Sequence, residues 1–276
     1  MLKSLKQVRA ALALLNPAEV RRMAARPVHI GLVASSESGY SEMEDFLLAK
    51  GGPRRQVHRA DDPGTPDDVG IVIYESGVSN PVGGYTFAPD ADGWIGAALD
   101  DHPEMSLALG SQFPALRPHV IGRTIQEIAR ENAFFAVATA LPNVVPSLIE
   151  LPWVIGEFAT DTAFLTANQI RMAFLIAAAC GRESGFSRQM GPILTIAGGA
   201  FGWRALAREL AGKIPLGGGL IPKGAIAYAG TFLVGKALEH YYRTNRVLTR
   251  AEREEVYQDG YRRGREVAQS LDRKPA

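Results

Sequence analysis

Apolar residues change their spacing twice along this chain, and each change predicts a different kind of structure. In MLKSLKQVRAALALL (residues 1–15), Leu2, Leu5, Val8, Leu12 and Leu15 recur three or four apart, giving one apolar helical face. Lys3, Lys6 and Arg9 lie away from that face or at its edge, so the spacing predicts a basic amphipathic helix, which either docks on its own protein or lies on an anionic membrane surface. Asn16-Pro17 restarts the chain as a short helix, with Asn16 as cap and Pro17 in the first helical position. From residue 28 the pattern becomes short β-branched runs bounded by turn residues. VHIGLVA (28–34) and GIVIYES (70–76) predict buried strands of an α/β sheet, QVHRA (56–60) a weaker strand and MSLALG (105–110) a further one. DDPGTPDD (61–68) and SNPVGGYTFAPDADG (79–93) are too rich in Gly, Pro and Asp for regular structure, and they predict solvated loops without EF-hand spacing.

After Pro118 the period lengthens to that of apolar helices punctuated by Pro and Gly. Runs without a charged residue cover 132–149, 189–203 and 224–235. A membrane-spanning helix needs about 20 apolar residues. The first run has 18 but contains Pro142 and Pro146, and the others are shorter, so none reads as a clear span. A buried helical bundle and a membrane-embedded set of hairpins both fit. Thr249-Arg250-Ala251-Glu252 is a capping-box pattern, and it predicts a final charged helix, polar on most faces and exposed.

Charge sharpens these boundaries. The net charge of +1 gives no reason to expect nucleic acid as a partner. Residues 1–26 carry +5, 27–123 carry −8, 124–215 are neutral and 216–276 carry +4. Such blocks point to units with different surroundings. The expected organisation is basic amphipathic helices at 1–26, an α/β domain at 27–120, a helical domain at 121–248 and a charged helix and tail at 249–276. The fold class is thus α/β plus α. Cys180 is the sole cysteine, which excludes an internal disulfide, and its apolar helical setting reads as an inert buried thiol. No cleavable signal peptide is visible, so the cytoplasm or the cytoplasmic side of a membrane is the expected location.

The turn after the first strand is the place to look for chemistry. A phosphate-binding loop of the GxxxxGK[ST] type uses Gly for the turn, Lys for the β- and γ-phosphates and a hydroxyl for magnesium. The corresponding window here is Ala34-Ser35-Ser36-Glu37-Ser38-Gly39-Tyr40-Ser41. Gly39 and Ser41 survive from that pattern. Ala34 replaces the first Gly, Tyr40 replaces the Lys, and Glu37 brings negative charge towards the place of the phosphates. Losing the cation removes the dominant electrostatic contribution to phosphoryl transfer. The second strand ends in Tyr74-Glu75-Ser76-Gly77 where a GTPase would carry Asp-x-x-Gly, and no [NT]-K-x-D guanine-reading motif occurs. Glu75 lies one residue out of register for a metal. The α/β half thus resembles a GTPase-like domain in outline and departs from it at the residues that carry the reaction. Ala34, Gly39 and Ser41 form a vestigial loop, with no cofactor expected.

The helical half carries a more specific pattern. LTANQIRMAFLIAAACGRESGF and then ILTIAGGAFGWRALARELAGKIPLGGGLIPKGAIAYAGTFLVGKALEHYY combine a helix ending in Cys180-Gly181, a helix relieved by Gly198-Gly199, a turn at Lys213-Ile214-Pro215 with Gly218, and a closing helix with Thr231, Gly235, Lys236 and Ala237. Over about residues 160–243 this resembles the YcjF-type helical domain of unknown function, often found behind GTPase-like domains in bacterial proteins. The resemblance implies membrane association and partnership with a switch domain rather than a reaction. The glycines flatten helix faces for close packing, and the triple glycine at 217–219 suits a turn needing no ligand.

Polar residues inside these apolar helices need partners, because an unpaired buried charge costs several kcal/mol. Glu127, Glu131, Asn132, Asp161, Asn168 and Arg171 are the expected members of a buried polar network, with Glu131 or Asp161 pairing with Arg171. A network that fixes helix register is one reading, and a polar lining for an ion or solute path is the other. The histidines at 29, 58, 102, 119 and 240 show no metal-ligand spacing. The expected function is a non-catalytic, membrane-associated scaffold or regulatory protein with an unidentified protein partner and possible self-association. Its alternatives are an unconventional GTP hydrolase recruiting a lysine such as Lys223, and a pore- or transporter-like helical protein.

Overall fold

The computed structural model describes residues 16–49, 51–66, 69–80, 83–88, 92–139, 161–182, 191 and 220–272. The expected helix at 1–15, the apolar run at 189–203 with Gly198-Gly199, and the turn from Lys213 to Gly219 lie outside them. The chain divides into two compact units. One comprises Ala18–Gly122 with Ala177–Glu183, and the other comprises Met1–Pro17, Arg123–Ile176 and Ser184–Ala276.

The first unit is built on a four-stranded parallel sheet. Its strands are β1 (Ile30–Val33), β2 (Val57–Arg59), β3 (Ile71–Tyr74) and β4 (Tyr85–Thr86), in the spatial order β2-β1-β3-β4. Ile30 pairs with Val57 on one side and with Ile71 on the other, and Ile73 pairs with Tyr85. Ile30, Leu32 and Ile73 are at most 1% exposed, as β-branched and Leu residues of central parallel strands should be. Helices α1 (Pro17–Ala24), α2 (Glu37–Leu48), α3 (Asp92–Asp101) and α4 (Ser106–Gln112) complete the unit, with the first turns of α5 (Arg117–Ala138). Met43 and Leu47 of α2 are buried, and Phe46 meets Phe87 and Trp94 edge-on at 5.6 and 6.0 Å. The Gln112 side chain donates to the carbonyls of Ala24 and Arg26, fastening the chain that leaves α1.

Two sequence expectations are corrected here. MSLALG is not a strand. Its core is α4, where Leu107, Ala108, Leu109 and Gly110 are all buried, a pattern that an all-round buried helix shares with a buried strand. The stretch 79–93 is not wholly irregular either, since it supplies β4 and the start of α3. Gly84 enables the strand by its positive φ of 135° and by its approach to the Tyr74 ring, where a Cβ would come within 2.8 Å.

The second unit is helical. It contains most of α5, α6 (Asp161–Ala179), α7 (Leu220–Thr244) and α8 (Arg250–Asp272). Ile125, Ile128 and Ala129 of α5, Met172 to Phe174 of α6, and Tyr228, Ala229 and Leu233 of α7 form its buried core. Gly235 of α7 admits α5 and α6 together, because a Cβ there would stand 2.7 Å from Ile125 and 3.0 Å from the Met172 sulfur. Helix α6 stops at Cys180-Gly181: Gly181 takes φ +66°, and the amides of Gly181 and Arg182 bond back to Ala178 and Ala177. Thr249 and Glu252 bond reciprocally at the start of α8, through Thr249 N–H to the Glu252 carboxylate and Glu252 N–H to the Thr249 hydroxyl.

The final helix is not exposed on all faces, contrary to the sequence expectation. Tyr257, Gly260, Gly264 and Ala268 recur three or four apart and are buried, forming a narrow stripe within an otherwise charged helix. Gly264 and Gly260 face α7 so closely that added Cβ atoms would lie 3.0 Å from the Ala225 Cα and 3.1 Å from the Ala229 Cα. A stripe built from glycine and alanine scores as weakly apolar, which is why it was hidden among the arginines and glutamates. Among the described residues, no helix is long and apolar enough to cross a membrane.

Candidate functional site

In an open parallel sheet, ligands bind outside the carboxyl ends of the strands where the strand order reverses. Here the chain goes from β1 to β2 on one side and returns to β3 on the other, so that point lies beyond Val33 and Tyr74. The loops arriving there are Ala34-Ser35-Ser36 and Glu75. Ser36 caps α2, accepting the Gly39 N–H at 3.0 Å, so the positive end of that helix faces the crevice.

The donors at these strand ends are already engaged by a charge from within the chain. The Glu75 carboxylate accepts the Ser35 N–H and the Ser35 hydroxyl, both at 2.7 Å, and the Ser36 hydroxyl at 3.2 Å. The Ser35 hydroxyl and amide hold the Glu75 carboxyl below its ordinary range, with Ser36 adding to the effect. Gly39 is required by this arrangement, since a Cβ there would stand 2.0 Å from Glu75 Oε1. The donors that would surround a phosphate oxygen therefore serve a carboxylate.

Tyr40, where the phosphate-binding loop pattern has lysine, supplies a phenol and no cation. Its ring lies under the Arg59 guanidinium, 3.9 Å from the centroid. Arg59 in turn holds both Glu37 carboxylate oxygens at 2.5 Å. The one arginine at the end of β2 is thus bound to the acid that would oppose an incoming anion. Desolvation, and then the charge of Glu44, raise the Tyr40 hydroxyl above its usual range. Ser41 lies exposed on α2, while Ala34 continues directly from β1. Tyr74, the last residue of β3, is only 3% exposed and serves as packing.

A second constellation lies in the helical unit. Arg171 Nη1 of α6 donates to Glu131 Oε2 of α5 at 3.0 Å. The Asn168 side-chain amide donates to Glu131 Oε2 at 3.3 Å and to Asn132 Oδ1 at 2.8 Å. Asn132 passes its own amide hydrogen to Thr231 of α7 at 2.7 Å. Asn132, Asn168 and Thr231 are essentially unexposed. Four of the six residues expected in a buried network therefore meet. Glu127 does not join them and pairs with Arg123 on the surface of α5, and the side chain of Asp161 lies outside the described residues. Burial pushes the Glu131 carboxyl upwards, with Arg171 opposing that shift.

Sequence reasoning missed two participants of these constellations and one contact elsewhere in the sheet. Arg59 was legible as a charge on the last residue of a strand, a position that points at the crevice of a parallel sheet. Thr231 was legible as a hydroxyl in an apolar helix. The contact of His29 Nδ1 with His58 Nε2 at 2.9 Å across β1 and β2 had no signal in the spacing. Among the described residues, no group of three His, Cys, Asp or Glu is placed to hold a metal ion. Lys223 is exposed on α7, in the helical unit, whereas the crevice belongs to the α/β unit. No protein-family model, curated protein or solved structure matches the chain.

Proposed function

We propose that the protein is a non-catalytic scaffold or regulatory protein whose α/β unit is a degenerate GTPase-like domain that takes a protein partner instead of a nucleotide. The observation that carries this reading is the Glu75 carboxylate seated on the Ser35 and Ser36 donors. A nucleotide phosphate entering that crevice would have to displace a tethered anion, and would find no lysine to offset its charge. Tyr40 and Arg59 give the rim an aromatic and cationic character of the kind that protein interfaces favour.

Membrane attachment at the cytoplasmic side belongs to the same reading. Its support is the basic amphipathic pattern of residues 1–15 together with the YcjF-type pattern of the helical half. The attachment is peripheral and runs through the N-terminal segment, since a basic amphipathic face binds anionic headgroups without spanning.

Titration calorimetry of the full chain with GTP and ATP, with and without magnesium, tests the first part. No heat of binding is expected, and micromolar affinity for either nucleotide would overturn it. Cosedimentation with anionic and with neutral vesicles tests the second. Binding only to the anionic vesicles is expected, lost on reversing the charges of Lys3, Lys6 and Arg9; equal binding to both, or none, would remove it.

A further inference from the structure

The hydrogen bonds around Asn132 have a direction. Asn168 donates to Asn132, Asn132 to Thr231, and the Thr231 hydroxyl to the Ala227 carbonyl at 2.9 Å. What orients the first amide is Glu131. An ionised carboxylate can only accept, so it draws the Asn168 Nδ2 towards itself. The cost falls on the other end of the same amide. Asn168 Oδ1 is buried and has no hydrogen-bond partner among the described residues.

A protonated carboxyl reverses the logic, because it donates. Turning the Asn168 amide over then presents Oδ1 to the Glu131 hydroxyl. Asn132, turned likewise, gives its Nδ2 hydrogen to the same Oδ1 and accepts from Thr231. Side-chain amides have nearly the same shape either way, so the helices need not move. Thr231 can leave the Ala227 carbonyl at little cost, as that group also receives a backbone bond within α7. In the reversed chain Asn168 Oδ1 gains two donors, and Asn168 Nδ2 takes the place where the oxygen now stands alone.

We propose that Glu131 is a proton-binding site of the helical unit, and that its ionisation sets the direction of the amide chain running through Asn168 and Asn132 to Thr231. Protons reach it from solvent, since its side chain is 24% exposed beside Arg171 at 32%. The charges acting on it are Arg171 from α6 and Glu127 from its own helix, and Asn168 donates to it from α6. Arg171 keeps a partner in either state, because Glu131 Oε1 lies 3.4 Å from its Nη1. Burial favours the protonated form, so the exchange falls above the ordinary glutamate range. The chain carries that event from the half-exposed side of the unit to α7. This inference is independent of the nucleotide reading above.

Side-chain amide resonances of asparagine in the full-length protein, followed by nitrogen-15 NMR from pH 7.5 to pH 4, provide the test. The Asn168 and Asn132 signals are expected to shift together, with one shared midpoint above the ordinary glutamate range. Glu131→Gln should abolish both shifts. Thr231→Val removes the last link of the chain and leaves the Asn168–Asn132 bond in place, so both signals should still move with one shared midpoint, and Thr231→Ser should do the same. Movement of Asn168 alone in the wild-type protein, or no movement of either, would overturn the proposal, and this reading needs no variant to fold.

Discussion

Glu75 and Gly39 are paired by geometry, and their pairing is open to a direct test. The Cβ of Gly39→Ala would collide with the Glu75 carboxylate, which sits at the end of a side chain able to swing away. Swinging away forfeits its bonds to Ser35 and Ser36. Gly39→Ala should therefore lower the melting temperature of the wild-type protein but leave a Glu75→Ala protein unchanged or slightly more stable, since alanine is the better helix former by up to about 1 kcal/mol. Additive effects of the two substitutions would show that the contact is not energetically coupled. Asn132 offers the buried counterpart. Asn132→Ala removes the acceptor of Asn168 and the donor to Thr231, and each orphaned buried group costs about 1–3 kcal/mol. A loss of about 2–4 kcal/mol is expected from urea unfolding. A loss below about 1 kcal/mol would mean that water replaces both bonds.

At the scale of elements, α7 and α8 approach each other closely along the glycine stripe. Gly264→Ala would place a methyl 2.7 Å from the Tyr228 Cβ and 2.9 Å from the Ala225 carbonyl oxygen. Backbone and Cβ atoms cannot yield as a side-chain tip can. The substitution should cost about 1–3 kcal/mol, the usual penalty for overpacking, despite its gain in helix propensity. Chemical denaturation measures it, and a neutral result would imply that the two helices slide apart freely. Gly122→Ala makes a suitable control, because nothing within 4 Å would meet its Cβ.

These elements also show where a sequence is readable. Strands β1 and β3 announce themselves through β-branched runs, and the start of α8 through its capping box. Helix α4 does not, because a short run rich in apolar residues between turns satisfies a strand and a buried helix equally well. The α8 stripe escapes notice because Gly and Ala carry little hydrophobicity while permitting the nearest contacts. The polar network was legible only in part: Glu131, Asn132, Asn168 and Arg171 stand out as polar residues in or beside apolar runs and do meet, whereas Thr231 was missed and Glu127 pairs with Arg123 instead. The role of Glu75 was not, because its donors lie 40 and 39 residues away and only the folded sheet brings them together.

At the scale of the whole molecule, the two acids respond to pH in opposite senses. The Glu75 carboxyl is lowered by folding, so its stabilisation is present at neutral pH and is lost as pH falls through the folded value. The Glu131 carboxyl is raised by folding, so its contribution is fully present below the unfolded value and is lost as pH rises through the folded one. Unfolding curves from pH 4 to pH 7.5 should therefore separate the two. Subtracting the Glu75→Gln profile from the wild-type profile should leave a component that grows with pH, and the Glu131→Gln difference should leave one that declines. The same sign in both differences would contradict the assignments.

The occupied crevice also sets a threshold for anything arriving from solution. A group tethered next to its own receptor competes at an effective concentration that, for short connections, is in the millimolar range or above. Free oxyanions of no greater intrinsic affinity, present at lower levels, would leave Glu75 seated on Ser35 and Ser36.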